Sequence, residues 1–159
     1  MSIVGQPRSY FKKFLFTVEI PGVGFAGFQK CSEPKSTTEV IEQWEGGAIV
    51  PDQSPGRMKF EAVTLERGAT KDLDLYAWYL QVNDAAAGTG AIDDKYKKRV
   101  NIVQRDRDGS VLRKWELKKA WPSAYGPGDW DNTVSANGIE TMTLTYQLAE
   151  PNDKPAAAV

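Results

Sequence analysis

Cys31 is the only cysteine, and the chain contains no histidine. A thiol needs a base to become a nucleophile, so Cys31 reads as a structural thiol. The same lack removes the commonest general base, metal ligand and pH sensor. Carboxylate pairs of the kind that hydrolyse glycosides remain, Glu42 with Glu45 and Glu61 with Glu66, but solvated strand faces supply such pairs in any β-protein. Asp106-Arg107-Asp108-Gly109-Ser110 begins like a calcium loop yet lacks the later acidic ligands and the closing glutamate, so it reads as a hairpin turn. Asp129-Trp130-Asp131-Asn132 reads as a turn because Asp and Asn favour turns. Gly46-Gly47 with Ser54-Pro55-Gly56-Arg57 is no phosphate loop: no lysine follows in place and no helix starts there. Lys95, Lys97, Lys98 and Arg99, with Arg113, Lys114, Lys118 and Lys119, could touch phosphate. Acidic neighbours interleave, and duplex binding wants a denser patch. The expectation is a protein with no catalytic residues, no metal and no cofactor.

The elements that hold these residues are mostly strands. The 159 residues suit one domain, and a composition 41% hydrophobic and 26% charged is that of a globular chain. A net charge of -1 gives no pull toward nucleic acid or membrane and permits self-association. The first residues lack the apolar core of a signal peptide, and no stretch nears the roughly 18 apolar residues of a membrane helix. We expect synthesis and folding in the cytoplasm and no membrane anchoring.

Residues 1–12 read as an N-terminal arm. Phe14, Phe16, Val18 and Ile20 share one strand face. A second strand runs from about Gly24 to Ser32. A third, Ser36 to Glu45, has two mixed faces, which suits a sheet edge or a subunit boundary. Residues 46–57 read as a projecting loop, too polar and Pro/Gly-rich for a core and too long for a tight hairpin. Strand four follows from Met58 through Leu65. Thr70 is the expected N-cap of a helix reaching Val82, with Leu73, Ala77 and Leu80 packing beside Tyr76, and Trp78 and Tyr79 widening the stripe. A polar loop over 83–95 leads to a hairpin turning at Asp108-Gly109. Trp121-Pro122 is expected to leave the ladder, since proline has no N–H to donate. In the last strand Met142, Leu144, Tyr146 and Leu148 alternate with Thr141, Thr143, Thr145 and Gln147. The fold class is therefore mainly β, a sandwich or half-barrel of about seven antiparallel strands with one flanking helix near 70–82. The domain spans 1–150, and 151–159 forms a tail.

Several segments, in order, resemble the tail-tube (inner tube) protein family of contractile bacteriophage tails and related contractile injection systems. Phe14 to Ile20 resembles its first strand. Glu45-Gly46-Gly47, then Pro55-Gly56, then Thr64-Leu65-Glu66-Arg67-Gly68 resemble its E-G-G, P-G and L-x-R-G order. Leu75, Tyr76 and Trp78, then Trp115 with Ala120-Trp121-Pro122, then Ile139-Glu140 to Tyr146 resemble its later motifs. Ser54 stands where leucine is usual, Glu33-Pro34 where glycine and leucine are, and Gln147 where the last glutamate is.

The resemblance implies hexameric rings of this chain stacked into a hollow tube, with strands of neighbours joined around a lumen. It implies sheath, baseplate and spike, and terminator proteins as partners, and DNA or protein cargo in the lumen. Tyr10, Phe11, Trp44, Glu45, Gly46, Gly47, Pro51, Pro55, Gly56 and Arg57 are then the expected subunit and ring contacts. The threonine face of the last strand becomes the solvated, lumen-facing surface. A different reading stays open: a small ligand- or carbohydrate-binding β-sandwich, with Trp44, Trp115, Trp121 and Trp130 as stacking platforms. A carboxylate-based hydrolase is the third.

Overall fold

The computed structural model describes residues 10, 12–23, 27–84, 88–90 and 94–152. In chain order the elements are β1 (Phe16–Glu19), β2 (Phe28–Cys31), β3 (Ser36–Gln43), β4 (Asp52–Phe60) and β5 (Val63–Gly68), then α1 (Asp74–Val82). The short pair β6 (Asn83–Asp84) and β7 (Thr89–Gly90) precedes a 3₁₀ turn, Asp94–Tyr96. Last come β8 (Lys98–Arg105), β9 (Val111–Gly126), β10 (Ile139–Thr145) and β11 (Leu148–Pro151).

Seven strands form one sheet in the order β1-β8-β9-β10-β5-β2, with β11 also on β9. The pairings are antiparallel. The sheet folds on itself at β9, whose first half pairs with β8 and β11 and whose second half pairs with β10. Between the halves lie Val18, Val100, Leu117, Ala120 and Ala149 on one side and Val63, Leu65, Met142 and Leu144 on the other. Period-two alternation explains this: β5 and β10 bury every second residue.

Four expectations need correction. Pro122 stays within β9 opposite Leu144, next to a register shift at Thr143/Leu144. A bulge tolerates the missing N–H, so the strand bends instead of ending. The chain between β8 and β9 is not a two-residue turn: Gly109 N–H donates to Asp106 O (2.9 Å) and Asp106 N–H to Ser110 O (2.8 Å). Gly109 has φ +87°, giving a three-residue loop closed by glycine in the left-handed region. The helix begins at Asp74, not near Thr70, and its buried residues are Leu75 and Trp78. Leu73, Ala77 and Tyr76 are exposed, and Tyr79 packs on the core edge. Finally, β4 occupies Asp52–Phe60 and breaks before β5. The projecting segment expected over 46–57 is thus a turn region, 44–51, followed by strand. Along and beside β1, Val18 and Ile20 are buried and Phe16 is half-buried, but Phe14 is 67% exposed.

Candidate assembly surface

Arg67 lies on β5 directly opposite Glu140 on β10. Both are buried, and Arg67 Nε donates to Glu140 Oε1. Arg67 Nη2 donates to Asp74 Oδ1 at 2.5 Å, and the same oxygen accepts the Leu75 N–H at 3.0 Å. Tyr125 Oη on β9 donates to Glu140 Oε2 at 2.7 Å. One cation thus ties two strands to the first turn of α1, which is why the helix starts at Asp74. Burial would push the Asp74 carboxyl up, but the hydrogen bond and charge of Arg67 outweigh it and hold it below the usual carboxylate range. Burial and the bond to Glu140 push the Tyr125 hydroxyl to about 12. Trp78 completes the anchor: its Nε1 donates to Tyr96 O at 2.7 Å. Sequence reasoning paired Glu61 with Glu66 and missed Arg67–Glu140–Asp74, although an arginine and a glutamate in facing strands were the available signal.

Around this closed body runs one uncovered ribbon. β2 pairs with β5 and β3 pairs with β4, so 28–43 and 52–68 are the two arms of a single long antiparallel ribbon. The ladder crosses the break through Ser32 N–H to Thr64 O (3.0 Å) and Glu61 N–H to Lys35 O (2.9 Å). Tyr146 Oη holds the joint by donating to Glu61 O at 2.6 Å. Below the joint, Leu65 and Arg67 are buried; beyond it, every residue of β3 is exposed. Val40, Ile41, Trp44, Ile49, Val50 and Met58 are all exposed, Trp44 at 60% and Ile49 at 93%. A two-stranded ribbon with this much apolar surface in water is marginal unless something covers it.

Eight of the expected contact residues fall on this ribbon's far end or its second arm as follows. Trp44, Glu45, Gly46 and Gly47 make the turn, closed by Ala48 N–H to Glu45 O at 3.0 Å, with Gly47 at φ +84°. Pro51 leads into β4 and is half-buried, while Pro55 lies opposite Val40 beside a bulge. Gly56 packs against β3: a Cβ there would lie 3.2 Å from Glu39 Cβ, Glu39 O and Ile41 Cγ1. Arg57 is exposed on the same arm. Tyr10 is exposed two residues before Lys12, whose carbonyl accepts from Gln104 Nε2 of β8 at 2.8 Å. It belongs to a different part of the surface. Phe11 lies outside the described residues, as does most of the 1–12 arm and the tail from 153.

Other chemical readings find little support. Cys31 is half-buried and burial pushes its thiol to about 12, far from thiolate reactivity. Trp115, Trp121 and Trp130 line three separate grooves, and Trp44 ends the ribbon. They do not converge on one platform. Arg99 pairs with Glu116 (2.7 Å), Lys118 with Glu150 (3.1 Å), and Lys98 lies over the Trp78 ring. Among the described residues no three potential metal ligands come together, and no helix is long and apolar enough to cross a membrane.

A β-body with an uncovered ribbon and open strand edges has the architecture expected of a structural subunit. Residues 12–150 match the family model of the T4-like virus tail tube protein gp19, and the chain belongs to that family. Its role is that of a structural subunit of an inner tube. A search of curated protein sequences finds no match. The fold is similar to a chain from the sheath–tube complex of the PVC extracellular contractile injection system in its extended state. That pair has TM-score 0.76 and 19% identity, covering 93% of each chain. A chain from the anti-feeding prophage tube-terminating cap has TM-score 0.79 and 19% identity, covering 95% of this chain and 98% of that one. Hcp1 from Flavobacterium johnsoniae has TM-score 0.56 and 13% identity, covering 87% and 95%.

Proposed function

We propose that the chain forms hexameric rings that stack into the inner tube of a contractile tail or injection system, conducting DNA or protein cargo. The carrying observation is the β3–β4 ribbon, exposed along all of β3 and rich in uncovered apolar side chains. Burying it on a neighbour gains roughly 25 cal/mol per Å² of apolar surface. The turn residues Trp44 to Gly47, together with Pro51 and the Pro55-Gly56-Arg57 arm, then make ring contacts. Within a ring, β1, β2 and β11, each paired on one side only among the described residues, offer backbone groups to neighbouring copies. The outward face of β5 and β10, with Thr64, Glu66, Thr141 and Thr143, is polar and half-buried and faces the lumen in this reading.

Sheath, baseplate with spike, and terminator proteins are the proposed partners. Support comes from the folds above, whose chains come from a sheath–tube complex and a tube-terminating cap. The particle is assembled from subunits made in the bacterial cytoplasm, and its work is mechanical. The test replaces residues 37–59 with a short turn. The variant keeps the cooperative melting of the body but forms no rings or tubes by negative-stain microscopy at concentrations where the full chain does. Tubes of normal appearance from that variant would overturn the proposal.

A further inference from the structure

At its joint the ribbon does not complete its own ladder. Residues 32–35 and 61–64 face one another between the pairs Cys31/Leu65 and Ser36/Phe60. An unbroken antiparallel ladder exchanges two backbone bonds in every second facing pair. Here Ser32 N–H donates to Thr64 O at 3.0 Å, but the return bond from Thr64 N–H goes to Ser32 Oγ at 2.7 Å. Pro34, in the middle, has no N–H to give. Glu61 N–H donates to Lys35 O at 2.9 Å, yet Lys35 N–H turns back to Glu33 O at 3.0 Å. In place of Lys35, Tyr146 Oη donates to Glu61 O at 2.6 Å. A side chain of the body thus occupies a rung of the ribbon.

Tyr146 reaches this point from the end of β10 and is itself buried. Its ring meets that of Phe60, the last residue of β4, with 5.8 Å between centres. Burial above all pushes its hydroxyl to about 12, so it stays a donor across the ordinary pH range. Ring and hydroxyl grip two successive residues, Phe60 and Glu61, at the root of the uncovered arm. Beyond that grip β3 is exposed along its whole length, so the direction of the arm is set at its root.

We propose that Tyr146 is the latch that aims the ribbon: standing in for the rung that Lys35 does not make, it fixes the angle at which the arm leaves the body and so favours assembly. This rests on the tube reading and names what positions its contact surface. An arm held at one angle has less freedom to lose when a neighbour covers it. Tyr146 is a positioning residue, acting through the arm.

The test compares Tyr146→Phe, which keeps the ring and removes the hydroxyl, with Tyr125→Phe, which removes a like hydroxyl bonded to Glu140 at 2.7 Å, away from the joint. Spin labels at Ala48→Cys in the ribbon turn and Ala77→Cys on α1, both exposed positions, in a Cys31→Ala background, report the arm's position in the unassembled subunit by pulsed electron paramagnetic resonance. Tyr146→Phe widens the label-to-label distance distribution by about twofold or more, as loss of a fixed geometry requires. Ser32→Ala, which removes the other side-chain rung, widens it too, and Tyr125→Phe leaves it as it is. Without labels, Tyr146→Phe raises the concentration needed for rings by about fivefold, read by sedimentation velocity and negative-stain microscopy, and Tyr125→Phe does not. An unchanged width in Tyr146→Phe overturns the latch whether or not rings form. A widened arm with normal assembly, or equal assembly losses in the two tyrosine variants, overturns its part in assembly. Absence of rings from the unaltered chain overturns the tube reading instead, and the width measurement still decides the latch.

Discussion

The lower and upper halves of the β2/β3–β4/β5 ribbon are built from the same pairing but live in opposite surroundings. Below the joint at Ser32 and Glu61, β5 is covered by the core and locked through Arg67 to β10 and α1. Above it, β3 has no buried residue at all. The lower half belongs to the folded core; the upper half adds little buried surface to it and stays uncovered. Substitutions in the two halves therefore separate stability from assembly.

The largest effects fall in the lower half. Glu140→Ala leaves the buried Arg67 with Asp74 as its remaining carboxylate and Tyr125 without its acceptor, and lowers unfolding stability by about 3 kcal/mol. Trp78→Ala empties a site that is 1% exposed and costs about 3–5 kcal/mol as well. Denaturant melting of the monomer measures both, and a loss under 1 kcal/mol in either would move the anchor elsewhere. Next comes acid. Asp74 is held below its ordinary value, so its contribution is complete above about pH 4 and fades as pH falls through the folded value. Melting temperature should drop over that low range, and Asp74→Asn should flatten part of the drop.

The upper half gives the reverse pattern. Gly56→Val drives a side chain against Glu39 and Ile41 and disrupts the bulge at a cost of about 1–3 kcal/mol to the ribbon. Amide exchange in β3 and β4 should quicken while the body's protection holds. Gly46→Val has the smallest effect on folding, within about 0.5 kcal/mol, because open space surrounds that position. Assembly should nonetheless suffer. Aggregation or loss of folded protein from Gly46→Val would erase the distinction between the halves.

Much of the body could be read from residue order. Alternation in Met142 and Leu144 located β10, although the strand expected to run on through Leu148 breaks after Thr145 and resumes as β11 on β9, and the mixed faces of 36–45 marked the uncovered arm. The errors share a cause: local rules were applied where tertiary contacts decide. Pro122 and Pro55 read as breakers, yet both lie beside bulges that excuse a missing N–H. Thr70 looked like a cap, but Arg67 recruits Asp74 and shifts the start of α1, moving the buried face to Leu75 and Trp78. The exposed apolar set Val40, Ile41, Ile49, Val50 and Met58 was hidden because exposure is not a property of residue type. Glu45-Gly46-Gly47, by contrast, was placed well, since a glycine turn is a local matter.

β9 runs 16 residues without a break and belongs to both halves of the sandwich. A compressive or shearing force applied to one half thus reaches the other along covalent backbone and not across interdigitated side chains that can slip. In the tube proposed above, that continuous girder would make each subunit stiff against buckling.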